Sequence, residues 1–82
     1  MLKSVEKLIR GNVGMKVGNH SKVAIDNHIV GYKYHNTIIC KVIPTDRKII
    51  IDDGGWKTSS TTRAINSYLE NFKDFEVVDL RK

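Results

Sequence analysis

Three histidines, His20, His28 and His35, are the first residues to weigh for metal chemistry. They fall on different turns or strands, without a cysteine partner or the close spacing of zinc ligands, and so read as turn or surface histidines. Asp52 and Asp53 form an adjacent carboxylate pair of the kind used in acid–base catalysis. Placed before Gly54 and Gly55, however, they read as turn residues. The run Thr58, Ser59, Ser60, Thr61 and Thr62 is rich in hydroxyls but lacks a nearby base, which favours helix capping over nucleophilic catalysis. Cys40, the sole cysteine, lies in an apolar run from Ile38 to Ile43 and reads as a small buried hydrophobe. No catalytic, metal or cofactor site is expected. The chain should work by binding, not as an enzyme.

For binding, the glycines at 11, 14 and 18 do not follow a strand and open a helix, as a phosphate loop requires. Gly54-Gly55-Trp56-Lys57-Thr58 does precede a helix, but it matches no nucleotide-binding spacing, so self-capping is the preferred reading. Tyr32, Tyr34 and Lys41 are expected on one sheet face, either as a stacking platform or as core packing. Lys33, Lys41, Lys57 and Arg63 are the candidates for phosphate contacts. Trp56 is expected to pack beneath the helix start.

The elements that would position these residues follow from periodicity. Leu2, Val5, Leu8 and Ile9 have helical spacing and predict a short N-terminal helix. From Val13 to Asp52 the period becomes two, predicting short strands at 13–17, around 23–25, at 29–34, 37–43 and 48–52. His35-Asn36 is a tight hairpin connection, and a two-residue turn there places Val30, Tyr32, Tyr34, Ile39, Lys41 and Ile43 on one face. After the hydroxyl run, Ala64, Ile65, Tyr68, Leu69 and Phe72 recur on one face of a longer helix. Phe75, Val77 and Val78 suggest a closing strand. The expected fold class is α+β: an antiparallel sheet of about five or six strands with a short N-terminal helix and one longer helix on a face.

At 82 residues the chain reads as a single domain with a small core, so a homodimer is one expectation. The lone cysteine excludes an internal disulfide and fits a reducing compartment. No apolar stretch approaches the ~20 residues that span a bilayer, so no membrane partner is expected. Met1 to Glu6 lacks the apolar core of a secretory signal, and the protein is expected to stay in the cell that makes it. Fourteen Lys and Arg against nine Asp and Glu leave +5, which favours polyanionic partners, but the basic residues are scattered along the chain.

Two segments resemble a known family. Tyr34-His35-Asn36-Thr37-Ile38-Ile39-Cys40 resembles the Leu-His-Gly-Asn-x-Ile-Ala hairpin of a family of short uncharacterised bacteriophage proteins. Gly54-Gly55-Trp56-Lys57-Thr58-Ser59-Ser60-Thr61, continuing through Ile65-Asn66 to Leu69, is similar to that family's Gly-Gly-Trp-x-Thr-x-Thr-Thr-x-x-Arg-Leu-Asn segment. The family's arginine falls at Ala64, with Arg63 one position earlier, and its hairpin glycine falls at Asn36. The resemblance implies a phage or mobile-element accessory protein acting in a host bacterial cytoplasm. The expected function is inhibition or modulation of a host protein or nucleoprotein complex, such as a defence system. The alternative is a small basic protein that binds DNA or RNA directly.

Overall fold

The computed structural model describes residues 2–81. The N-terminal periodicity forms helix α1 (Lys3–Arg10), which buries Val5 and Leu8 completely. The sheet strands are β1 (Lys16–Val17), β2 (His20–Asp26), β3 (Ile29–Tyr34), β4 (Thr37–Ile43), β5 (Lys48–Ile51) and β6 (Glu76–Asp79). They lie side by side in chain order. The chain is therefore α+β, as its patterning indicates. The 13–17 strand shrinks to two residues, leaving Val13 exposed outside it.

Every neighbouring pair is antiparallel except the last. Between β5 and β6 the chain crosses through helix α2 (Ser59–Asn71), which returns it to the starting end of β5 and makes that pair parallel. At the other turn, Pro44–Asp46 coil into one turn of 3-10 helix, and Arg47 takes a left-handed φ of 49° before β5.

Both helices cover one face of the sheet. Ala64, Ile65 and Tyr68 of α2 and Val5 and Leu8 of α1 pack with Tyr32, Ile39, Cys40, Val42, Ile49 and Ile51. Leu69 and Phe72 are partly buried against this core. One hydrogen bond ties the start of α1 to α2: Leu2 N–H donates to Ser67 Oγ, which itself donates to the Arg63 carbonyl within α2.

A bulge in β4 overturns the expected side-chain grouping. The His35-Asn36 turn pairs Tyr34 with Thr37 and Lys33 with Ile38, but Ile39 is then extra, and Tyr32 pairs with Cys40. The slip moves Cys40 and Val42 to the covered face beside Tyr32, and turns Lys41 and Ile43 to the other. The expected common face for Tyr32, Tyr34 and Lys41 therefore does not form.

Candidate functional site

The site is built where the β3–β4 hairpin meets the loop before α2. Consecutive aspartates fold this loop: Asp52 Oδ1 accepts from Gly54 N–H at 3.1 Å and Asp53 Oδ1 accepts from Gly55 N–H at 2.9 Å. The Asp53 carbonyl also accepts from Trp56 N–H at 2.9 Å. Gly54 and Gly55 both have positive φ, at 61° and 87°, which glycine reaches without a Cβ clash. Gly54 also presses on the hairpin, where an added Cβ would lie 2.6 Å from Thr37 Cγ2. Thr58 then caps α2, its Oγ1 accepting from Thr61 N–H at 3.3 Å.

Between hairpin and loop lies a concave pocket of about 390 Å³. Tyr34, His35, Asn36 and Thr37 form its hairpin wall, Ile39 its apolar base, and Asp53, Trp56, Thr58, Ser60 and Thr61 the wall opposite. Trp56 is 60% exposed at this pocket. The expectation that it packs beneath the helix start is corrected: the glycine turn and the Thr58 cap complete the junction without it, leaving the indole outside the core. Asp53, by contrast, is only 8% exposed.

Aromatic contacts brace the hairpin wall. His20 stacks on Tyr34 with ring centroids 4.7 Å apart, and His35 tilts against Tyr34 at 4.4 Å. His20 Nδ1 is buried and meets no hydrogen-bonding partner among the described residues. Burial, and to a lesser extent the neighbouring His35, pushes the His20 pKa down. His35 holds a left-handed φ of 57° at the hairpin tip, a conformation uncommon for a residue with a side chain.

Of the six expected binding residues, Tyr34 lines this pocket, while Lys57 and Arg63 line an adjoining groove along α2 that shares Thr58 with it. Lys33, on β3, faces the uncovered side of the sheet beside Lys16, in a groove that shares His35 and Asn36 with the pocket. Tyr32 is core: its ring stacks obliquely on Tyr68 at 4.6 Å, and burial, helped by Cys40, raises its pKa to about 12. Lys41 is exposed on the uncovered sheet face, apart from the pocket. The expected set is thus divided.

No family model, curated protein or solved structure matches this chain.

Asp53, Asn36 and His35 are pocket residues that sequence reasoning did not assign to binding. The two family-like segments had already singled out their neighbourhoods, but only folding shows that both segments line one cavity. Among the described residues, no group of His, Cys, Asp or Glu is arranged to hold a metal ion. No helix among them is long and apolar enough to cross a membrane. The site offers aromatic surface, hydroxyls, an amide and one carboxylate, a set suited to recognition.

Proposed function

We propose that this chain is a phage or mobile-element accessory protein that acts by binding, occupying a surface of a host protein or nucleoprotein complex in the bacterial cytoplasm. The observation that carries the reading is the largely exposed Trp56 at a concave pocket. Trp is prominent among residues that dominate binding energy, and pockets beside such residues accept the partner's own anchors. The family-like hairpin and tryptophan segments supply this pocket, which supports a link between the phage resemblance and the binding surface. The left-handed His35 at the same rim adds support, since backbone strain collects where a side chain must be presented.

Affinity capture from bacterial lysate tests the reading, with wild-type and Trp56→Ala protein compared with and without nuclease. The expected outcome is a partner retained by wild type and lost with Trp56→Ala, while thermal melting shows the variant still folded. Equal capture by both proteins would remove the Trp56 surface as the binding site.

A further inference from the structure

The pocket and its two neighbouring grooves make one continuous path around the hairpin end of the molecule. Thr58 joins the pocket to the α2 groove containing Lys57 and Arg63. At the hairpin tip, His35 and Asn36 join it, around the end of the sheet, to the groove on the uncovered face containing Lys16 and Lys33. Along the path the chemistry runs basic, aromatic, basic. We propose that this path binds a single-stranded nucleic acid, with one unstacked base in the pocket and the flanking phosphates in the two basic grooves. The inference rests on the reading of the Trp56 surface as the binding face and names what that face contacts within its target.

Charge sets the order of the parts. Among the described residues, the pocket lining holds no lysine or arginine to attract a phosphate, whereas the Asn36 amide and the hydroxyls of Thr37, Thr58, Ser60 and Thr61 suit the N–H groups and acceptors of a base edge. Trp56 and the exposed His35 supply π-faces, which stack on bases with little regard to sequence, while Tyr34, already stacked against His20, holds the wall in place. The cations lie outside the pocket, Lys57 and Arg63 along α2 and Lys16 and Lys33 around the hairpin tip on the uncovered sheet face, where a strand bending over the tip would bring its phosphates. Glu70 also lines the α2 groove and weakens its positive field, so Arg63 and Lys57 matter more than a count of charges suggests. The formal charge of +5 favours such a partner overall. A duplex keeps its bases stacked and paired, and cannot place one in a concave pocket without unpairing it.

Trp56 is the only tryptophan, so its fluorescence reports stacking directly. Short single-stranded RNA and DNA oligonucleotides, and the corresponding duplexes, are titrated into the protein at low and moderate salt. Saturable quenching by single strands is expected, with affinity falling as salt rises at a log–log slope of roughly 0.7 per phosphate contacted. Arg63→Gln and Lys33→Gln should each reduce that slope by about 0.7. Trp56→Ala should weaken binding roughly tenfold or more, measured by anisotropy of a labelled strand. Lys73→Gln is the control: Lys73 lies beyond the C-terminal end of α2, roughly 20 Å along the helix axis from the pocket end, and should leave affinity unchanged. Absence of quenching at low salt would overturn the proposal. So would duplexes binding as tightly as single strands, or Lys73→Gln weakening binding as much as Arg63→Gln. If oligonucleotides fail while nuclease-treated lysate still yields a Trp56-dependent partner, the surface reads protein and only this inference falls. If capture is also independent of Trp56, the proposed function falls with it.

Discussion

Lys22 is the residue whose role is least apparent from its type. It lies on the covered face of β2, and its Nζ donates to the Ile9 carbonyl at 3.1 Å and the Gly11 carbonyl at 2.8 Å. It therefore places a cation at the C-terminal end of α1, where carbonyls lack helical partners and the helix dipole is negative. Lys22→Met keeps the stem but removes both hydrogen bonds, and should lower stability by on the order of 2 kcal/mol in urea unfolding. Tyr68 presents the opposite case. Its hydroxyl is buried without a partner among the described residues, and burial is the main cause of its raised pKa. Tyr68→Phe should therefore leave the urea midpoint unchanged or raise it, since little hydrogen bonding is lost. A marked fall would contradict this account. His20 gives the expected pH response. Its ordinary pKa is 6.5, and burial holds the folded value lower. The unfolded chain thus takes up this proton first, so the neutral-His20 contribution is lost as pH falls from about 6.5 through the folded pKa. His20→Asn should flatten that part of a stability–pH profile, and a profile unchanged by the substitution would exclude His20 as its source.

At the scale of elements, the loop before α2 depends on its glycines unequally. Both occupy positive φ, but only Gly54 lies against another side chain, that of Thr37. Gly55→Ala should cost about 1–2 kcal/mol from the left-handed backbone alone. Gly54→Ala adds a clash with the hairpin and should cost more, while shifting the Trp56 emission as the loop moves. Equal unfolding midpoints for the two variants would show that loop and hairpin do not press together. The hairpin itself is governed by the bulge at Ile39, which brings Ile39 and Cys40 both into the core. That one extra residue decides that Lys41 leaves the face occupied by Tyr32.

For the whole molecule, one covered sheet face supplies the core, so few side chains carry much of the stability. Ile65 is completely buried, whereas Leu69 is only partly so. Ile65→Ala should cost about 2–5 kcal/mol, a large share of what a domain of this size commands. Leu69→Ala should cost less, and equal losses in urea unfolding would contradict the observed packing. The β5–α2–β6 crossover places the N-terminus of α2 beside the hairpin tip, and this arrangement assembles the pocket.

The sequence by itself determined the element types and most of their bounds. Helical spacing in 2–9 and 64–72, alternation in 29–43, and the Asp-Asp-Gly-Gly turn are local, and local backbone preferences act on them directly. It also marked the hairpin and the Gly-Gly-Trp segment that line the candidate site. Tertiary structure alone decided the rest. A strand bulge shifts pairing by one residue and reverses which face each later side chain occupies, yet leaves no clear trace in an apolar run such as Ile38 to Val42. Whether Trp56 is core or surface depends on whether α2 and the hairpin close over it, a relation between segments distant in the chain. They leave it exposed beside a cavity.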